Sequence, residues 1–231
     1  SEEQDAVALP ATLWRPLPPP VALPRPLSPS TAGSVLIDED NEDMVTASAL
    51  FVSDEKPDIA LQRGRLIHRM LQNLPEIPAA DWANAADRYV NRAARFWPPG
   101  ERERLVSTVL KVLEDPHLSP LFAEGSQPEV SVMGTLTLRG EQRAVSGRLD
   151  RMAVLSDKVV IADYKTNRKP PRDAAAAPLS HRAQLAIYRE ILQPLYPAKT
   201  IECWLIYTET GSVIALEDTL LAQSLADLQT S

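Results

Sequence analysis

The stretch Val159-Val160-Ile161-Ala162-Asp163-Tyr164-Lys165-Thr166 restricts the architecture of this chain more than any other. Its β-branched apolar residues predict a buried strand, and the polar run from Asn167 to Pro171 ends it. Side chains alternate along a strand, so Asp163 and Lys165 share one face and Tyr164 takes the other. A carboxylate and an ammonium at a strand end can hold a divalent metal and stabilise a charged phosphoryl group. Read alone, an ordinary surface ion pair explains them equally well.

The rest of the chain places that strand. Eight of the 21 prolines lie between Pro10 and Pro29, so residues 1–27 read as an extended Pro-rich linker, with a ligand for a Pro-binding adaptor as the alternative. Leu27-Ser28-Pro29-Ser30 reads as the start of the folded part, 28–231. Residues 33–56 are acidic and unpatterned and predict a mobile loop. Leu66, Ile67, Met70, Leu71 and Leu74 then recur at helical spacing from about Ile59 until Pro75 stops them. Two further amphipathic helices are expected over 81–96 and 101–113. After Pro128 the period changes to two: strands are predicted over 129–138, 144–155 and 159–164, with a hairpin turn at Arg139-Gly140-Glu141-Gln142 and Gly147 permitting a close approach. A helix over 180–192 with Ser180 as its N-cap, a strand over 200–208, a hairpin return over 212–216 and a weak helix over 217–228 complete the pattern. Strands mixed with helices in this way imply an α/β sheet with helices on its faces.

No apolar run is long enough to span a bilayer and no signal-peptide pattern opens the chain, so the expectation is a soluble, cytoplasmic protein without a membrane partner. The opening Ser-Glu-Glu, without Met, reads as a piece of a larger polypeptide. The single cysteine, Cys203, excludes an intrachain disulfide and reads as a buried thiol. A net charge of −7 is unusual for a nucleic-acid binder, but from Arg139 to Arg172 nine Lys/Arg stand against four Asp/Glu. Local field, rather than total charge, steers a ligand.

A short turn at 156–158 sets Asp150, in Gly147-Arg148-Leu149-Asp150-Arg151, opposite Asp163 across an antiparallel pair. Two facing carboxylates repel, and a divalent cation relieves that repulsion. Pairing with Arg148, Arg151 or Arg168 is the alternative. Glu129 can supply a further carboxylate and His68, one turn beyond Gly64, an imidazole. Oxygen donors suit Mg²⁺, and an added imidazole makes Mn²⁺ as comfortable. Lys165 then supplies a point charge to a phosphate. Gln184 and Tyr188 are one helical turn apart and can order a water or touch a nucleotide. Each is, read alone, an unexceptional helix residue.

Taken in order, Gly64-Arg-Leu-Ile-His68, Gly147-Arg-Leu-Asp150-Arg151, Asp163-Tyr164-Lys165-Thr166 and Gln184-Leu-Ala-Ile-Tyr188 resemble the PD-(D/E)XK nuclease superfamily, in its RecB-like branch, over residues 60–210. The resemblance implies a restriction-endonuclease-like α/β fold: a mixed four-stranded sheet flanked by helices in α-β-β-β-α-β order. It implies His68, Asp150, Asp163 and the Tyr164 carbonyl as ligands of Mg²⁺ or Mn²⁺, with Glu129 at a less constant acidic position. Lys165 would be the catalytic lysine, with Gln184 and Tyr188 supporting it. One cysteine rules out the four-cysteine iron–sulfur cluster of the AddB and Cas4-like members. The Pro-rich lead-in is most similar to that of the C-terminal nuclease domain of AddA-type helicase–nucleases. That likeness implies a bacterial protein processing double-strand break ends for recombinational repair, cutting the 3′-terminated strand. Its partners would be single-stranded DNA from an unwound duplex end, the helicase portion of the parent polypeptide and an AddB-like subunit. No Walker A motif occurs in the chain itself. Arg139, Arg143, Arg168, Lys169, Arg172 and Arg182 are the expected phosphate contacts. Two other readings are a nuclease-fold module without turnover and a free-standing structure-specific nuclease.

Overall fold

The computed structural model describes residues 26–30, 57–138, 140–167 and 169–230. The Pro-rich linker up to residue 25, the acidic loop, Arg139 and Arg168 lie outside the described residues. Three helices come first: α1 (Pro57–Asn73), α2 (Trp82–Ala93) and α3 (Pro99–Leu113). A one-turn helix α4 (Ser119–Phe122), which the sequence pattern does not reveal, leads into the sheet. Strands β1 (Gln127–Leu138), β2 (Glu141–Val154) and β3 (Lys158–Lys165) follow, then helix α5 (Leu179–Leu192), β4 (Thr200–Tyr207), β5 (Ser212–Leu216) and α6 (Asp218–Thr230).

The sheet has five strands in the order β1-β2-β3-β4-β5, so the four-stranded expectation is one strand short. The hairpin return over 212–216 pairs with β4 and extends the sheet at that edge. Only β3 and β4 run parallel, joined through α5, and the other pairs are antiparallel. The β1–β2 turn is also tighter than expected: Leu138 pairs with Glu141, and Gly140 supplies the positive φ of 78° that such a turn needs. Ser180 does not cap α5. Pro178 is the N-cap residue, with extended dihedrals and no side-chain cap hydrogen bond, because its ring presets the chain two residues earlier.

Each face of the sheet carries its own core. Val159, Ile161, Cys203 and Leu205 pack against α5 and α6 on one side. Val160, Ala162, Tyr164 and Ile206 pack against α1, α2 and α3 on the other. The alternation along β3 that divides these two sets is the one its sequence predicts. On β2 the alternation slips, because Leu149 and Met152 both lie in the α5-side core although three residues separate them. The slip falls where the β1–β2 ladder skips the Glu129/Asp150 pair, and Glu129 has a left-handed backbone, φ 51°. An irregularity of this kind re-aims side chains.

Leu27 covers the exposed edge of β2 where β3 is too short to reach. Its amide donates to the Ala144 carbonyl at 2.8 Å, and its carbonyl accepts from Ser146 at 3.0 Å. Pro29 then lies over Gly147, where an added Cβ would come within 2.8 Å of the proline ring and 2.6 Å of the Tyr188 hydroxyl. Gly147 is therefore required by close approach, as expected.

Candidate active site

The antiparallel β2–β3 ladder pairs Val154 with Val159 through to Arg151 with Ala162, so one further step sets Asp150 opposite Asp163. The ladder stops short of that step. There the amide of Tyr164 donates to Asp150 Oδ2 at 2.7 Å, a side chain standing in for a backbone acceptor. From α1, His68 Nδ1 lies 3.3 Å from Asp150 Oδ1, with its ring edge-on to Tyr164. On β3, Lys165 Nζ sits 2.7 Å from Asp163 Oδ2 and donates to Gln184 Oε1 at 3.0 Å. Four elements, α1, β2, β3 and α5, thus bring His68, Asp150, Asp163, Lys165 and Gln184 together. Tyr164 points its ring into the opposite core, which leaves its backbone facing the cluster.

Tyr188 joins this group differently from expectation. Its hydroxyl donates to the Arg148 carbonyl at 2.9 Å and accepts from the Arg148 amide at 3.0 Å, so it clips α5 to β2 beside Asp150. The phenol thus serves the Arg148 backbone and also hydrogen-bonds with the Gln184 side chain, so the residue positions the strand. Glu129 faces Arg148, Nη1 to Oε2 3.0 Å, and does not reach the other carboxylates. Arg151 leaves the cluster altogether for the opposite face. Of the other expected phosphate contacts, Arg143 pairs with Glu141 on the hairpin at 3.4 Å. None of Arg143, Lys169, Arg172 and Arg182 lines either of the two cavities beside the carboxylates.

Electrostatics separate the two aspartates. Burial alone would raise the Asp150 pKa, but the His68 charge and hydrogen bond, the Tyr164 amide and Lys165 together hold it below the usual carboxylate range. For Asp163, burial outweighs Lys165, and the nearby Asp150 charge adds to it, so its pKa is raised. Burial would lower the His68 pKa, yet Asp150 and Asp163 push it up to about 9. Helical spacing alone points to a further member, His181, one turn before Gln184 on α5. Its Nδ1 is 3.1 Å from the Tyr207 hydroxyl, and burial with the Lys165 charge drives its pKa down to about 3, so it is a neutral imidazole. The same spacing puts Arg65, Arg69 and Gln72 beside His68, and all line the larger cavity, about 580 Å³.

A family model described as the PD-(D/E)XK nuclease superfamily matches residues 45–226. The chain belongs to that superfamily. Membership points to metal-dependent hydrolysis of phosphodiester bonds, with a divalent ion such as Mg²⁺, and the mixed sheet flanked by helices is consistent with the superfamily fold. A search of the curated proteins found no match. Among matching solved structures, one titled "Crystal structure of SSO0001" is 15% identical, with a TM-score of 0.32, covering 75% of this chain and 88% of that one. That likeness is too loose to bear on the site. No helix among the described residues is long and apolar enough to cross a membrane.

The donor set fits a hard divalent cation in chemistry, although the side chains do not form a closed cage. Among the described residues no three His, Cys, Asp or Glu side chains converge on one point. The reason is visible: Asp150 is held by His68, Asp163 by Lys165 and Glu129 by Arg148. Asp163 Oδ2 is nevertheless buried and accepts no well-directed hydrogen bond. Its one contact among the described residues is the Lys165 ammonium at 2.7 Å, and with a second carboxylate beside it burial makes its charge costly. Cys203, by contrast, is buried with its Sγ on the Leu185 carbonyl and far from any metal chemistry.

Proposed function

We propose that this chain is a Mg²⁺- or Mn²⁺-dependent deoxyribonuclease domain belonging to a bacterial helicase–nuclease that processes double-strand break ends for recombinational repair. The observation that carries the reading is the joining of Asp150 and Asp163 from adjacent strands with His68 and Lys165, in a chain of the nuclease superfamily. His68, Asp150, Asp163 and the Tyr164 carbonyl would hold the ion, with Glu129 able to join them by leaving Arg148. When bound, the ion neutralises the paired carboxylates and polarises the scissile phosphoryl group and a water.

The remaining work belongs to the chain. Gln184 and Asp163 fix the Lys165 ammonium, whose three donors and compact charge suit the non-bridging oxygens of a phosphate. His68 carries a proton at neutral pH while it faces Asp150, so it must release that proton for its imidazole to act as a ligand. Tyr188 holds Arg148 and, two residues on, Asp150 in register with Asp163. The RecB-like branch, the AddA likeness, the 3′-terminated strand, the helicase portion and the AddB-like subunit are parts of the same proposal, supported by the motif order quoted above.

Incubation of the chain with 5′-labelled single-stranded and duplex DNA, in Mg²⁺, Mn²⁺ or chelator, tests it. The expected result is cleavage only with metal, reduced at least about 10²-fold in Asp163→Asn. A chain that binds DNA but cuts nothing under any of these conditions would instead be a nuclease-fold module whose carboxylates stay tied to His68, Lys165 and Arg148. That result would overturn the reading.

A further inference from the structure

The two cavities meet at Glu129, Ser131 and Arg148, and they differ in charge. On the α1 side, Arg65 and Arg69 project from the exposed face of the helix that carries His68. They are four residues apart, about 6 Å along the helix axis, so they form a row beside the site. Among the described residues neither has a carboxylate partner; Arg69 donates only to Gln72, at 3.2 Å. The other cations of this cavity are matched, Lys165 by Asp163 and Arg148 by Glu129. In a chain of net charge −7, two guanidinium groups without a carboxylate partner among the described residues thus line the cavity that His68, Glu129 and Lys165 also line. The other cavity, about 570 Å³, is lined by Ser28, Ser30, Met133, Ser146 and Asp150, and among the described residues its one cation is Arg148.

We propose that Arg65 and Arg69 form a phosphate track on which the backbone of a single polynucleotide strand lies as it reaches Asp150 and Asp163. The assignment rests on the nuclease reading and deepens it by naming where and by what chemistry the substrate is held. Guanidinium forks pair bidentately with phosphate oxygens, carry no base information and tolerate any sequence. They also offset the repulsion that the carboxylates exert on an approaching polyanion. Of the basic segment richer in charge along the sequence, the described Lys169 and Arg172 do not line this cavity.

The test is equilibrium binding of a fluorescent 20-nucleotide strand to the full chain in chelator, where nothing is cut, across a series of salt concentrations. Arg65→Ala/Arg69→Ala is compared with Arg88→Ala/Arg92→Ala, which removes the same charge from the exposed face of α2. The track pair is expected to weaken binding roughly tenfold at low salt, equally for mixed and homopolymer sequences. It should also flatten the slope of log K against log salt by about 1.4, from about 0.7 per phosphate contact on a single strand. The control pair should leave that slope unchanged. Equal losses in both pairs, or none in the track pair, would overturn the track while parent binding and cleavage left the nuclease reading standing. A parent that binds no oligonucleotide would overturn that reading itself. A slope change seen with duplex but not with the single strand would overturn the choice of substrate.

Discussion

Two buried charges sit one register step apart on neighbouring strands, and the chain treats them in opposite ways. Arg151, paired across the ladder with Ala162, enters the α1-side core. Its Nε donates to the Leu121 carbonyl at 2.6 Å and to Ser126 Oγ at 2.9 Å, and its Nη1 to the Leu71 carbonyl at 3.1 Å. Ser126 Oγ also bonds to Leu121 O, and the guanidinium lies over the Phe122 ring. The carbonyls it collects come from the last turns of α1 and α4, which lack partners within their helices and carry negative partial charge. Asp163, next to Ala162 on the other face, has one counter-charge, Lys165 at 2.7 Å from its Oδ2, and a raised pKa from burial and the nearby Asp150. A buried charge fully provided for by backbone is architecture. One left short, beside a like charge, is a place for something the chain does not contain.

The largest effect that would sharpen this contrast is on the architectural side. Arg151→Met should destabilise the fold by about 2–3 kcal/mol, because it leaves the Leu71 carbonyl without its donor and the Leu121 carbonyl with Ser126 Oγ alone. Urea denaturation measures it, and a change below about 1 kcal/mol would break the comparison. Asp163→Asn should go the other way and stabilise the metal-free chain by roughly 1 kcal/mol, since the raised pKa of Asp163 marks a native state that disfavours its charge. Loss of stability in that variant would make Asp163 a structural residue like Arg151.

His181 offers a pH test with a definite sign. Its folded pKa of about 3 lies below the 6.5 of a free imidazole. As pH falls below 6.5 the unfolded chain gains a proton that the folded chain refuses. Stability then drops by up to about 1.4 kcal/mol per pH unit until the folded pKa is reached. His181→Gln should remove that component of the acid slope. An unchanged slope between pH 6.5 and 4 would mean that the imidazole is not held neutral. The smallest expected effect is at the clip: Tyr188→Phe should cost about 1 kcal/mol of stability. It should reduce cleavage only modestly, as befits a hydroxyl that serves the Arg148 backbone. Abolition of cleavage with stability intact would give Tyr188 a direct role in the chemistry.

Much of the site was readable because it depends on local rules. The turn at 156–158 is short enough that counting outward from it fixes Asp150 opposite Asp163, and strand alternation fixes Asp163 and Lys165 on one face. Helical spacing delivers His68 from Gly64 and sets Gln184 one turn from Tyr188. What escaped depends on the break at Glu129. No residue pattern announces a left-handed glutamate, and without it the side that Arg151 takes cannot be counted. The basic run from Lys169 to Arg172 is nearly contiguous in sequence, whereas the described cations beside the carboxylates come from α1, β2 and β3, brought together by packing. Cys203 and the fifth strand were visible as elements, but the sheet's width follows from β4 and β5 pairing, a non-local fact.

The central claim is that Asp150 and Asp163 form a cation site. Isothermal titration of Mn²⁺ into the chain at pH 7.5, with Asp163→Asn alongside, addresses it without any cleavage readout. The account predicts saturable binding by the parent with proton release as His68 gives up its proton, and binding at least about tenfold weaker in the variant. Parent and Asp163→Asn binding the ion equally, or the parent binding none, would contradict it.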